Sequence, residues 1–211
     1  MKLQTTLGYS LSLLLALSLN ACSSINPFNQ APEWELLRVP EAGTVYDIAG
    51  ELSENLVVGG LGSIFLTQDQ GETWQVVRED FTTRRFEMRG DSLFAFSLGD
   101  GTLYSLDMGL NWQEIEEELV DEFNFEVNLG NGQSYRVVSD NNFPKQPDAV
   151  EWTRDGEEWE DVFPFKRYIY SIYADERDRV YIGANGWDWD EEQQEFTFSK
   201  DKSDGLVYYV K

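Results

Sequence analysis

"SLDMGLNW", residues 105–112, sets a hydroxyl, a carboxylate, a glycine and a tryptophan at fixed offsets: Ser105, Asp107, Gly109 and Trp112. "TQDQGETW", residues 67–74, repeats the arrangement with Thr67, Asp69, Gly71 and Trp74. A third copy, "TRDGEEW" at 153–159, keeps Thr153, Asp155, Gly156 and Trp159 but has lost one residue between aspartate and glycine. The first two copies stand 38 residues apart, Asp69 to Asp107, so the octet marks a repeated unit of about 40 residues.

The repetition extends outward from the octets. An aromatic-x-aliphatic triplet stands well upstream of each octet, as Tyr46-Asp47-Ile48, Phe86-Glu87-Met88 and Phe125-Glu126-Val127, and Tyr170-Ser171-Ile172 is a fourth copy. Each triplet leads to a short β-like run ("NLVVGG", "SLFAFS", "SYRVVS", "RVYIGA") and then to a second ("SIFLT", "TLYSL", "AVEWT", "GLVYYV"). Gly, Asn and Asp punctuate them, as hairpins need residues that tolerate positive φ. Each unit therefore reads as strands A, B and C, the octet turn, then strand D. No helical periodicity is present after the first segment.

Units of this kind predict an all-β fold, a small β-propeller whose four-stranded sheets pack face to face. The strands are apolar on both faces, as doubly covered sheets require, and an aromatic content of 14% suits the gaps between splayed sheets. Strands A to C occur four times and the octet three times. The fourth unit stops at "LVYYVK", whereas "APEWELLRV" near the other end supplies a strand D, with Trp34 matching Trp74, Trp112 and Trp159. Four blades closed by pairing of the N- and C-terminal strands account for every segment. An open, incomplete propeller and a larger ring made by self-association are compatible with the same strands.

The octets resemble the Asp-box, or bacterial neuraminidase repeat, with the pattern Ser/Thr-x-Asp-x-Gly-x-x-Trp. The first two copies match it at every defined position, and together with the strand repeat the resemblance covers about residues 34–211. It implies a propeller of the kind found in sialidases, xyloglucan-active glycoside hydrolases, sortilin-type receptors and photosystem II assembly factors. It also implies that the octet lies at the rim, away from the central site, as a structural turn. The aspartate would accept hydrogen bonds from its own turn while the tryptophan is buried. No catalytic residue is assigned to Asp69, Asp107 or Asp155.

A sialidase would need an arginine triad, a tyrosine–glutamate nucleophile pair and a further acid. The resemblance places these on a six-bladed propeller much larger than this chain. The Phe/Tyr-Arg-Ile-Pro signature is missing, and Arg84, Arg85 and Arg89 fall in or beside a strand A, where solvated edge charges are expected. The insertion "NGWDWDEEQQEFTFSKDKSDG" at 185–205 departs most from the repeat. Trp187 and Trp189 make it a candidate contact surface for a protein or glycan. Equally, "WDW" pairs with "FTF" as an extended hairpin capping one end of the ring. Asp188, Asp190 and Glu191 offer oxygens of the kind calcium takes, without the spacing of an EF-hand loop.

Residues 1–21 read as a signal peptide, with one basic residue and an apolar run from Leu11 to Leu19 too short to span a membrane comfortably. Leu19-Asn20-Ala21-Cys22 resembles the end of a bacterial lipoprotein signal, which implies that Cys22 is lipidated and becomes the new N-terminus. An ordinary cleaved signal is the alternative. Ser23 and Ser24 point to the outer membrane, and residues 22–33 form a tether to a domain at 34–211. Formal net charge is −23, so nucleic-acid binding is excluded. A solvated acidic surface, as in salt-adapted bacteria, explains that charge, and an acidic docking face is the alternative. The chain has no histidine and one cysteine, which excludes Ser-His-Asp and Cys-His nucleophile systems, His-based zinc sites and disulfides. No cofactor is expected. The reading is a lipid-anchored, non-catalytic binding or assembly module of the cell envelope, bound to the membrane through Cys22 and taking a protein or glycan ligand. The rivals are a carboxylate-based glycoside hydrolase on a propeller scaffold and a passive envelope protein.

Overall fold

A computed structural model describes residues 32–97, 99–116, 125–139, 147–197 and 204–210. The signal segment, Cys22 and nearly all of the tether lie outside the described residues. The chain divides into two units, Met1–Gln30 and Ala31–Lys211, and every strand belongs to the second.

The repeat units become four antiparallel sheets of four strands, and the chain is an all-β propeller of four blades. Blade 1 is β2 (Asp47–Gly50), β3 (Leu56–Gly59), β4 (Ser63–Thr67) and β5 (Gln75–Glu79). Blade 2 is β6 (Arg85–Arg89), β7 (Ser92–Phe96), β8 (Thr102–Ser105) and β9 (Gln113–Ile115). Blade 3 is β10 (Glu126–Asn128), β11 (Ser134–Val138), β12 (Ala149–Thr153) and the two-residue β13 (Glu160–Asp161). Blade 4 takes β14 (Ile169–Ala174), β15 (Val180–Ala184) and β18 (Gly205–Val210), with β1 (Trp34–Val39) as its outer strand. The terminal strands thus share a sheet, in register from Trp34↔Val210 to Val39↔Gly205.

Alternation along each strand sends its two side-chain sets into two different blade interfaces. In blade 1, Ile48, Leu56, Val58 and Phe65 face blade 4, where they meet Val39, Val45, Tyr181 and Val207. Ala49, Val57, Ile64 and Leu66 face the other way and meet Phe86, Leu93, Ala95 and Leu103 of blade 2. Tyr135 and Val150 of blade 3 pack with Ile169, Ile172, Ile182 and Tyr208 of blade 4. Three interfaces are therefore apolar. Among the described residues no such cluster joins blade 2 to blade 3, and β6 and β10 do not approach as β2 and β6 or β10 and β14 do.

The first two octet tryptophans lean toward the preceding blade. Trp74 packs against the cluster between blades 4 and 1, and Trp112 against that between blades 1 and 2, stacked on Phe86 at 6.2 Å. Trp34 holds the equivalent place between blades 3 and 4, edge-on to Phe163, with its Nε1 donating to the Val162 carbonyl at 2.8 Å. Trp159 joins none of the three clusters; the Arg136 guanidinium lies over its ring at 3.9 Å. Deleting a buried tryptophan costs about 3–5 kcal/mol, so the half-buried Trp112→Ala should lose about 2–4 kcal/mol and Trp159→Ala less than about 1 kcal/mol. Urea denaturation of both variants checks this; equal losses would contradict the packing described.

Candidate functional site

The strand order gives the blades two ends. The A–B and C–D connections lie at the lower end, and the D–A and B–C connections at the upper end. The octets are C–D connections, joining β4 to β5, β8 to β9 and β12 to β13, so they all lie at the lower end.

Their polar atoms are consumed locally. The Ser105 hydroxyl donates to Asp107 Oδ1 at 2.8 Å and accepts from the Gly109 N–H at 2.8 Å. Asp107 also accepts from the Asn111 N–H and side-chain amide at 2.9 and 2.7 Å. Thr67, Asp69, Gly71 and Thr73 repeat these bonds. Gly71 and Gly109 have φ of 87° and lie against Leu37 and Val57 of the preceding blade, where a Cβ would have no room. The shortened third copy keeps the bonds from Gly156 N–H to Thr153 and from Glu157 N–H to Asp155. Donors hold all three aspartates below the ordinary carboxylate range: first Thr73 for Asp69, Asn111 for Asp107 and the Glu157 N–H for Asp155. These carboxylates are charged turn fasteners at the rim, Asp155 exposed and Asp69 and Asp107 partly covered.

The insertion rises at the upper end of blade 4. It forms the hairpin of β16 (Asp188–Asp190) and β17 (Glu195–Thr197), with Trp189 opposite Phe196 and the two rings 5.1 Å apart. Arg167 holds its base, donating to the Trp187 carbonyl at 2.7 Å, to Asp188 at 3.3 Å and to the Tyr208 hydroxyl at 2.8 Å. Lys166 pairs with Glu191 at 2.6 Å, and Asp190 accepts from the N–H groups of Glu192 and Gln193. The three carboxylates considered for calcium thus serve three separate partners. Trp187 and Trp189 are half-buried, each presenting part of a ring.

Beside the hairpin stands a group that sequence reading did not single out. Tyr46 meets Tyr170 edge-on at 5.2 Å, and Tyr168 meets Tyr170 at 4.9 Å. Burial raises the Tyr170 hydroxyl to about 12, with Tyr46 and Tyr168 adding to the effect. Asn185 is fully buried beside them, bridged to Thr44 through the backbone. Its amide is close enough to pull the Tyr170 pKa down, yet neither amide atom reaches hydrogen-bonding geometry. The charges of Asp148 and Arg84 are felt at Tyr168, so residues bordering all four blades converge here. The available signal was position, since Tyr46 and Tyr170 are the leading aromatics of their strand-A triplets.

The strand-A arginines are not simple edge charges. Arg85 and Arg89 pair with Glu87 at 2.7 and 2.9 Å, and their guanidiniums lie over Phe96 and Phe94, within 5.2 and 4.6 Å of the ring centres. They roof the face of blade 2 turned away from blade 1. Past that face, at the upper edge, lies an open depression of about 220 Å³ lined by Asp100, Glu114 and Glu116. Among the described residues no three metal-ligating side chains come together.

Asp47, the middle residue of the first triplet, ties blade 1 to blade 2 by accepting from the Phe86 N–H at 2.6 Å. Burial raises its pKa to about 7, against the lowering effects of that N–H and of Arg85. The folded protein therefore keeps a proton that the unfolded chain gives up near the ordinary carboxylate value. This contribution to stability is full below about pH 4 and is lost as pH rises through about 7. Asp47→Asn should be more stable than the parent at pH 8, by on the order of 2 kcal/mol, with the gap narrowing toward pH 4.5. Thermal melts across pH check it; a gap independent of pH would count against the buried carboxyl.

No family model matches the chain. A stretch of 66 residues, 30% of the chain, is 36% identical to the vacuolar protein sorting/targeting protein 10 of Laccaria bicolor, of which it spans 4%. Among solved structures, YCF48 from Cyanidioschyzon merolae is similar with a TM-score of 0.35 and 19% identity, over 71% of this chain and 52% of YCF48. A structure of YCF48 bound to D1 peptide gives a TM-score of 0.36 and 16% identity, over 80% and 58% of the two chains. The NanB sialidase of Streptococcus pneumoniae gives 0.27 and 10%, over 78% and 30%. The chain spans little more than half of YCF48, and at these identities the likeness concerns the fold alone.

Proposed function

We propose that the protein is a non-catalytic binding or assembly module of the bacterial cell envelope, anchored in the outer membrane by a lipid on Cys22. The observation that carries the reading is the division of labour between the two ends of the blades. At the lower end the octet carboxylates are occupied in their own turns. At the upper end a hairpin with two half-exposed tryptophans is fixed at its base by Arg167, next to the Tyr46–Tyr168–Tyr170 group. Rigid aromatic groups on a fixed scaffold are good contact residues, because little side-chain entropy is lost when they bind.

Strand β1 begins at the lower end, since Trp34 pairs with Val210 at the octet side of blade 4. In this reading the tether over residues 22–33 joins the domain at the start of β1, at the lower end of blade 4. The Asp-box resemblance fits the same reading, with the octet as a structural turn.

Two measurements test this. Cys22→Ser should move the protein from the membrane to the soluble fraction, and unchanged fractionation would remove the anchor. In capture from detergent-solubilised envelope, the pair Trp187→Ala and Trp189→Ala should lower recovery of the specific partner at least tenfold, while Asp107→Asn leaves it unchanged. Equal recovery by all forms would reject the upper end as the contact surface.

A further inference from the structure

We propose that the upper end of the domain carries an aromatic site for a small organic cation, with a methylated ammonium group seated against the rings of Tyr46 and Tyr170. The assignment rests on the reading of that end as the binding end, and it names the chemistry that end selects.

A departure from the repeat builds this site. Along β14, alternation from Ile172 would send Tyr170 into the cluster between blades 3 and 4, as it sends Phe86, at the same triplet position, into that between blades 1 and 2. The ladder of β14 with β15 instead slips between Ile169 and Ser171, a β-bulge with Tyr170 as the extra residue. Ile169 joins Ile172 in the cluster between blades 3 and 4, and Tyr170 turns to meet Tyr46 of blade 1. The corresponding ladders of blades 1 and 2 run without a slip.

The product is a corner of rings at steep angles. Tyr46 stands at 81° to Tyr170 and Tyr168 at 71° to it, with centroids 5.2 and 4.9 Å apart. All three are half-buried, so part of each meets solvent. The face of an aromatic ring is its negative pole, and rings set at angles offer a cation more than one such face. Methylation suits the corner, because a bare ammonium needs hydrogen bonds that ring faces do not supply. Charge agrees. Asp148 is buried against the backbone between Tyr168 and Tyr170, its Oδ2 accepting the Ile169 N–H at 2.7 Å. Its charge acts on both tyrosines, whereas that of Arg84 acts on Tyr168, so the field at Tyr170 favours a cation. A chain of net charge −23 also gathers cations at its surface. Behind the rings, the amide of the fully buried Asn185 adjoins the Tyr170 hydroxyl, and among the described residues neither of its atoms has a hydrogen-bond partner. Buried polar groups are nearly always paired, so this orphaned amide marks a place built for more than packing.

Equilibrium dialysis of the full-length chain in non-ionic detergent against radiolabelled choline tests this. Choline should bind, and dimethylbutanol, its neutral carbon analogue, should compete only at concentrations about tenfold higher or more. Tyr170→Phe keeps the ring and should stay within about twofold of the parent, while Tyr170→Leu should weaken choline about tenfold. Glycerophosphocholine as a second competitor names the source: tighter binding than choline assigns the ammonium to a lipid headgroup, weaker binding to a free solute, and either carries the proposal. Choline that does not bind, dimethylbutanol that competes equally, or equal losses in the two Tyr170 variants would overturn it. Envelope capture by the Trp187→Ala and Trp189→Ala forms reports on the wider contact surface independently, so a failure here is distinct from a failure there.

Discussion

The structure depends on one strand placed far from its sheet in sequence. Strand β1 completes blade 4, pairing along its whole length with the last strand of the chain. Two interfaces draw on it, since Trp34 packs into the cluster between blades 3 and 4 and Val39 into that between blades 4 and 1. Without it, β18 would be an exposed edge and Tyr135, Phe163 and Tyr208 would lose the tryptophan they pack around. Local contacts build each blade, and this long-range one joins the ends.

Inter-blade adhesion then has two components. The first is the apolar alternation of the strands, which divides every sheet between two neighbours. The second is polar and local to the strand ends. The Asp47 carboxylate takes the Phe86 N–H between blades 1 and 2, and Tyr181 links Asp175 to the Leu52 N–H between blades 4 and 1. Hydrogen-bonded groups of this kind fix the angle at which greasy faces meet. Carboxylates act in opposite senses here: the octet aspartates favour the fold when charged, whereas Asp47 favours it when protonated.

Strand order, the end at which the octets lie and the hairpin "WDW" with "FTF" were legible because each follows from short-range pattern. Period-two alternation, positive-φ residues at turns and a repeat of about 40 residues are properties of the chain read in order. The site was harder to see. Tyr46, the Tyr168–Tyr170 pair and Asn185 come from three separate segments, and apart from the leading place of Tyr46 and Tyr170 in their triplets nothing in the sequence marks them as neighbours. Arg85 and Arg89 were legible as strand residues, while their place over Phe96 and Phe94 required the pleat of a finished sheet.

The sequence by itself determined an all-β repeat of four units and the terminal strand that completes the last one, since hydrogen-bonded ladders and turn chemistry act between near neighbours. Tertiary structure alone decided which faces adhere. Among the described residues three junctions gather apolar side chains, while on the face of blade 2 turned from blade 1 Arg85 and Arg89 pair with Glu87 over the rings of Phe96 and Phe94, because ladders fix a strand's neighbours within its own sheet but not the surface its side chains meet.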